Sequence, residues 1–441
     1  METNIISELT DFIESAPTAF HAVSAIRDQL AKDGFEELKE SERWELEPGK
    51  KYYVTRNNSS IVALKVGADL DEYSFHVTAS HSDSPTFKLK ENAELEIAKK
   101  YTMLNTEGYG EPICATWFDR PLSLAGKVMV KNGNRIETRL VKVDRDLLMI
   151  PSLAIHMDRD INEGRALNKQ VDMLPLFSGS VKEPGAVRDL IAEELGVSEA
   201  DIYGMDLFLY NRMKAVRWGS DGEFLGCPRL DDLECAFASM KGFLAEDNDK
   251  NINVLACFDN EEVGSGTKQG AASTFLYDVL SRVNKALGKE DEEFYRAVAA
   301  SFMLSCDNAH AVHPNHKQKT DATNCVYMND GIVIKSHAGQ KYTSDAVSIA
   351  IFRMLCENAG VPVQYFANRS DEAGGSTLGN IAMMQVSMNT IDIGLPQLAM
   401  HSSYETCGVK DIEYMVKAIS EFYASHIKAD ADGVYLHLSA K

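Results

Sequence analysis

The sequence predicts an α/β chain: a helix-covered, mixed but mainly parallel sheet, interrupted by a β-rich insertion. Three observations carry this. Helical and strand periods alternate along the last two hundred or so residues, the texture of strand–helix units. Between residues 87 and 228 that texture gives way to short strands and turns. Several short apolar runs stop on His, Asp or Glu, and in open α/β sheets the carboxyl ends of strands face a ligand. A chain of 441 residues exceeds one ordinary core. The expected division is 1–86 and 229–441 as two parts of one domain, with 87–228 inserted as a second.

Element by element, Ile5, Leu9, Phe12 and Ile13 keep helical spacing, and after the break at Ser15-Ala16-Pro17-Thr18 a second helix covers 20–30. Residues 51–66 read as two strands around Asn57-Asn58, a hairpin signal. Residues 74–80 form a strand that ends on His81-Ser82-Asp83. In the insertion, Gly108, Gly110 and Pro112 make a loop. Strands at 124–130 and 135–143 flank the Asn132-Gly133-Asn134 turn, and 187–195 and 205–210 are regular. Beyond it, helices are expected at 233–244, 272–287, 292–302, 347–358, 375–384 and 411–427. Strands are expected at 254–258, 303–306, 363–366 and 390–394.

Composition narrows the function. The 45 basic and 66 acidic residues leave a formal charge of −21, which opposes nucleic acid and anionic membrane surfaces as partners. None of the eight cysteines forms a C-x-x-C pair, so thiolate zinc knuckles and redox motifs are not expected. Free cysteines within apolar runs fit a reducing compartment. The N-terminus has neither a basic leader nor a continuous apolar stretch. No run approaches the roughly 20 apolar residues of a membrane span. A soluble cytosolic protein is expected.

The stretch 252–266, INVLACFDNEEVGSG, is the centre of the chain. Its apolar run ends on Asp259-Asn260-Glu261-Glu262, and carboxylates at the end of a buried strand are costly unless a cation meets them. Four further runs end on metal-capable side chains: His81-x-Asp83, Asp231-Asp232, Asp307 and His401. Singly each is ordinary, since an Asp before a helix is usually an N-cap and a lone His usually a hydrogen-bonded structural residue. Together, two imidazoles and three carboxylates make an N/O donor set for zinc or another divalent transition metal. A carboxylate bridging two ions would give a dinuclear centre that lowers the pKa of a shared water and clamps a carbonyl oxygen. Consecutive glutamates then divide the work, one facing the metal and its neighbour handling the proton.

These segments resemble the aspartyl aminopeptidase and vacuolar aminopeptidase I family of dinuclear zinc peptidases. The likeness rests on His81-Ser-Asp83-Ser-Pro85, Arg229-Leu-Asp231-Asp-Leu233, Asp259-Asn-Glu261-Glu262-Val-Gly264, Asp307-Asn-Ala-His310-Ala-Val-His313 and Pro396-Gln-Leu-Ala-Met-His401. Trp117-Phe-Asp119-Arg120 and Pro151-Ser-Leu-Ala-Ile-His156 add to it. The resemblance implies an aminopeptidase with two zinc ions per subunit, cobalt or manganese being able to serve the same donors. It implies that Asp231 bridges, that His81 and Asp307 complete one ion, and that Glu262 and His401 complete the other. Asp83 would orient His81, and Glu261 would be the general base and acid. His156 would reach across a dimer interface to the scissile carbonyl of the neighbouring subunit, while His310, Lys335 and Tyr342 would contact substrate. The catalytic domain is then of zinc-peptidase type and the insertion a dimerisation domain. Peptides with a free N-terminus are the expected substrates, and tetrahedral dodecamers built from dimers the expected assembly.

The chain departs from the family in two places. Asp232 stands where the family often has Asn, adding a negative charge beside the metals. The acidic loop from Asn368 to Gly375 could repel an acidic P1 side chain if it lines that pocket, so acidic and neutral P1 residues both remain open. Two other readings accompany the aminopeptidase: another co-catalytic zinc hydrolase, such as a carboxypeptidase or N-deacylase, and a non-catalytic self-assembling scaffold.

Overall fold

The computed structural model describes residues 2–429 and 433–439. Its nine-stranded sheet runs, in spatial order, Glu36–Leu38, Lys51–Arg56, Ser60–Val66, Asn251–Phe258, Ser74–His81, Phe302–Cys306, Asn389–Gly394, Ile332–Lys335 and Val363–Phe366. Five of its eight pairings are parallel, the mixed, mainly parallel sheet expected. The central strands Asn251–Phe258, Ser74–His81, Phe302–Cys306 and Asn389–Gly394 all run the same way. Their carboxyl ends therefore meet at one edge, and that edge carries the site.

Successive side chains of a strand point to opposite faces, and the two cores divide on that rule. Leu255 and Cys257 join a core built with the helices Glu2–Ser15, Ala19–Lys32, Leu230–Ala245, Ala346–Ala359 and Val409–Ala424. Val254, Ala256 and Phe258 join the opposite core, with Phe275–Ala286, Asp291–Ala299 and Leu378–Gln385. The central strands are buried on both faces. Asn251–Phe258 and Phe302–Cys306 accordingly read as nearly continuous apolar runs, whereas Ser74–His81 alternates polar and apolar residues.

Between the first hairpin and the central strand, the chain builds a separate six-stranded antiparallel sheet. Its strands are Thr86–Ile97, Tyr101–Tyr109, Leu122–Asn132, Arg135–Lys142, Leu176–Ser178 and Ile202–Asn211. Its core is its own, with Phe87 packed edge-on against Trp117 at 5.3 Å. The last strand of this sheet ends at Asn211. Val216–Trp218 and Phe224–Cys227 pair into a five-stranded sheet with Glu405–Gly408, Pro396–Leu398 and Ala309–His310.

Some elements differ from expectation. Gly108 lies inside a strand, because the antiparallel ladder from Thr86 carries it to Tyr109, and the loop begins at Gly110. The helix expected from 272 starts at Phe275, because the Ser273 amide and hydroxyl both turn back to the Gly270 carbonyl. The last long helix stops at Ala424, since His426–Ala429 pairs antiparallel with Val434–His437.

Candidate metal centre

Each donor sits where a regular element ends, so backbone geometry fixes it. His81 is the last residue of its strand, and Asp307 follows the last residue of Phe302–Cys306. Glu261 and Glu262 open the single turn Glu261–Val263, entered through Asn260 at φ 63°. Asp231 and Asp232, joined by a cis peptide bond, head the helix Leu230–Ala245 with non-helical dihedrals. His401, at φ 67°, follows the short strand Pro396–Leu398. Gly394 is required beside Asp307: a Cβ there would meet the Asp307 carbonyl oxygen at 1.9 Å.

These residues converge. His81, Asp231, Asp232 and Asp307 offer ligand atoms within 4.8 Å of one another, as do Asp231, Glu262 and His401, and His81, Glu261 and Glu262. Asp231 lies between the two imidazoles, with Oδ1 3.4 Å from His81 Nε2 and Oδ2 3.6 Å from His401 Nε2. His401 Nε2 is 3.2 Å from Glu262 Oε2, and His81 Nε2 is 3.9 Å from Asp307 Oδ1. The other ring nitrogens face backbone carbonyls, His81 Nδ1 that of Asp83 and His401 Nδ1 that of Glu111, each at 3.1 Å. A carbonyl only accepts, so Nδ1 carries the proton and Nε2 is left for a metal.

A cation fits this donor set. Among the described residues Asp231 Oδ1 and Glu262 Oε1 are buried without a hydrogen-bond donor, a costly arrangement that a metal ion would satisfy. The carboxylates and imidazoles also distort one another's titration. Burial pushes Glu261 up to about 8 and Glu262 well above the ordinary carboxyl value. Against the effect of burial, Asp232, Asp231 and Asp83 raise His81. For Asp231 burial acts upward, yet the His81 ring, followed by His401, holds it below its usual value.

Glu261, Glu262 and His81 thus bind protons in the folded metal-free protein that the unfolded chain releases. Their stabilising effect is full below the ordinary carboxyl and imidazole values and is lost as pH rises through the elevated ones. The metal-free melting temperature is expected to fall between about pH 5 and 8. Zn²⁺ loading at pH 7 is expected to expel at least one proton per chain. Calorimetry in buffers of different ionisation heat measures this, and a binding heat independent of buffer would contradict it.

The model of aminopeptidase I zinc metalloprotease (M18) matches residues 12–423. The chain belongs to the M18 family of zinc aminopeptidases. A probable M18 family aminopeptidase 2 of Clostridium novyi is 49% identical over 423 residues, spanning 95% of this chain and 98% of that protein. Ape4, solved by cryo-EM in complex with Nbr1, superposes with a TM-score of 0.92 at 36% identity, over 96% of this chain and 86% of that one. The S. cerevisiae mApe1 dodecamer superposes at 0.83 with 29% identity, over 95% of each chain. M18 enzymes are zinc metallopeptidases that remove residues from peptide N-termini, and this is the reaction of the present chain. No helix among the described residues is long and apolar enough to cross a membrane.

The remaining residues expected from the resemblance divide. Lys335 is buried, donates to the Asn308 carbonyl at 3.0 Å and lies 4.0 Å from Asp307 Oδ2, with its ammonium 5.5 Å from the centre of the Tyr342 ring. Burial acts to lower the Lys335 ammonium, but Asp307, then Tyr342 and Asp392, raise it above its ordinary value. His310 packs its ring 6.1 Å from Phe366, which also meets Tyr342. His156 is exposed, in a segment without regular structure, and is not among the grouped donors. In the 368–375 loop, Asp371 pairs with Arg369 and Glu372 with Lys319 on the surface, so both carboxylates have cationic partners.

Three structural roles had no counterpart in the sequence reading. Glu405 is buried and accepts the backbone N–H groups of both Asp231 and His401, at 3.1 and 2.9 Å. Asp232 Oδ2 accepts the His81 amide at 3.0 Å. Asp83, expected to orient His81, has its Oδ1 3.4 Å from His81 Nδ1 and also accepts the amides of Glu261 and Glu262. No local pattern marks Glu405, which sits among polar residues in His401-Ser402-Ser403-Tyr404-Glu405-Thr406.

Proposed function

We propose that the site holds two divalent ions, zinc being the metal of the family. His81 and Asp307 would hold one ion, Glu262 and His401 the other, and Asp231 would contribute an oxygen to each. One observation supports this most: the two oxygens of Asp231 each face a different histidine. Cobalt or manganese would satisfy the same N/O donors.

When bound, such a pair supplies a water of lowered pKa and an electrophilic clamp for the scissile carbonyl oxygen. Glu261, half-buried beside the donors, takes the proton of the attacking water and delivers it to the leaving amine. The carboxylates around it give the substrate's α-ammonium a counter-charge. Lys335, His310 and Tyr342 contact the substrate beside Asp307. His156 acts on the neighbouring subunit's site, polarising the carbonyl to be cleaved. In support, Leu153, Ile155 and Met157 around it are 49, 48 and 75% exposed, and an apolar surface of this kind fits a subunit interface.

By the same reading the insertion, bounded at 87–228 in sequence and closing near Asn211 by strand pairing, is the dimerisation domain. The chain forms a homo-oligomer, which the solved S. cerevisiae mApe1 dodecamer supports, and the reading extends to a tetrahedral dodecamer assembled from dimers. Eight free cysteines fit a reducing cytosol.

A panel of matched peptides tests the reaction direction. Free-amino peptides beginning with Asp, Glu or Leu are expected to lose their first residue, and N-acetylated counterparts to stay intact. Cleavage of the acetylated set at comparable rates would point instead to an N-deacylase, and release from the carboxyl end to a carboxypeptidase.

A further inference from the structure

The inserted domain touches the metal centre through one short segment. Tyr109 ends the strand Tyr101–Tyr109, and its hydroxyl donates to Asp83 Oδ2 at 2.7 Å. Asn260 Nδ2 donates to the same hydroxyl at 2.8 Å, which turns the phenolic proton toward Asp83. Gly110 follows at φ +64°, where a Cβ would come within 3.1 Å of Glu262 Cβ. The Glu111 carbonyl faces His401 Nδ1, and the Ile113 amide donates to the His401 carbonyl at 2.9 Å. Residues 109–113 therefore contact Asp83, Glu262 and His401, groups on both sides of the donor cluster.

We propose that this segment is a brace through which the inserted domain sets metal affinity, and that Tyr109 is its positioning residue. The inference rests on the two-ion reading above. The Asp83 carboxylate accepts three donors: the amides of Glu261 and Glu262, and the Tyr109 hydroxyl. Two of these are backbone groups that no side-chain change can remove. The phenol is the side-chain donor, and it comes from the other domain. It fixes the Asp83 rotamer, and Asp83 in turn fixes the His81 ring and the turn carrying both glutamates. Outer hydrogen bonds of this kind are worth roughly 10- to 100-fold in metal affinity. A cavity of about 250 Å³, lined by Asp83, Tyr109, Asp231 and Asn260 among others, lies against this carboxylate. Water entering it would partly replace a lost hydroxyl, so the effect belongs near the lower end of that range.

The test compares Tyr109→Phe with Phe208→Leu in the full chain. Phe208 packs edge-on against the Tyr109 ring at 5.5 Å and makes the structural control. Zn²⁺ affinity is measured by competition with a chromogenic chelator, Co²⁺ loading by visible absorption, and kcat and KM at saturating Zn²⁺. Tyr109→Phe is expected to keep its metal-free melting temperature, bind Zn²⁺ about tenfold more weakly, change the Co²⁺ spectrum and lose kcat at constant KM. Phe208→Leu is expected to keep wild-type Zn²⁺ affinity. Two results overturn the brace: Tyr109→Phe affinity within about threefold of wild type, or an equal loss in Phe208→Leu. Wild-type protein that saturates below two ions per chain overturns the two-ion reading itself, a distinct failure visible before any variant is made.

Discussion

Glu261→Gln is expected to lower kcat by about 10²- to 10⁴-fold while metal content and KM hold near wild type, the size typical of a removed general base. Glutamine keeps the length, shape and hydrogen-bonding oxygen of glutamate but cannot take a proton at neutral pH. The adjacent Glu262 points elsewhere, with Oε2 3.2 Å from His401. The two neighbours diverge because they open an irregular turn whose amides are both tied to Asp83. In the metal-free protein burial pushes Glu261 up to about 8, and cations held by the neighbouring donors would draw it down, leaving a carboxylate able to take a proton at neutral pH. Steady-state kinetics with metal analysis on the same preparation separates the two possible losses. A variant that turns over at the wild-type rate removes Glu261 from the mechanism, and one that loses metal makes it a ligand instead.

That these side chains would come together was legible in the sequence for a reason of physics. A strand buried on both faces is a continuous apolar run, and a charged or imidazole side chain at its end stands out against that run. Asp307 and the Asp259 to Glu262 stretch are of this kind, His81 closes a strand that alternates polar and apolar residues, and parallel pairing brings their ends together. The insertion was harder to read. Thr86–Ile97 is buried only at alternate or scattered positions and reads as mixed polarity until its partner strand is known. Phe224–Cys227 has the same short-strand texture as the insertion, but pairs with Glu405–Gly408, far along the chain. Tyr109, Glu111 and Glu405 act through hydrogen bonds across long sequence separations, and no local pattern marks such contacts. The 369–372 acids show the converse: the sequence reveals charge, while the pairing with Arg369 and Lys319 exists only once the loop folds.

Asp231→Asn is expected to have the larger effect, because one side chain serves both halves of the site. Its two oxygens are each within 3.6 Å of a different histidine Nε2, so losing the carboxylate charge weakens both ions rather than one. Asparagine keeps the volume and one acceptor oxygen, and the Asp231 amide bond to Glu405 is untouched by the change. The fold should therefore persist while bound metal drops below two ions per chain. A metal pair stabilises the transition state by several kcal/mol, and each ~1.4 kcal/mol is tenfold in rate. The expected loss in kcat/KM is then more than about 10³-fold, larger than that of replacing a ligand such as Asp307, which lies beside one of the two histidines, His81. Asp232→Asn supplies the comparison: its carboxylate accepts the His81 amide at 3.0 Å, so it should perturb one side of the site and leave measurable turnover. If Asp232→Asn abolished metal binding and Asp231→Asn did not, the bridging role would belong to the second aspartate, and the assignment of donors to the two ions would have to be redrawn around it.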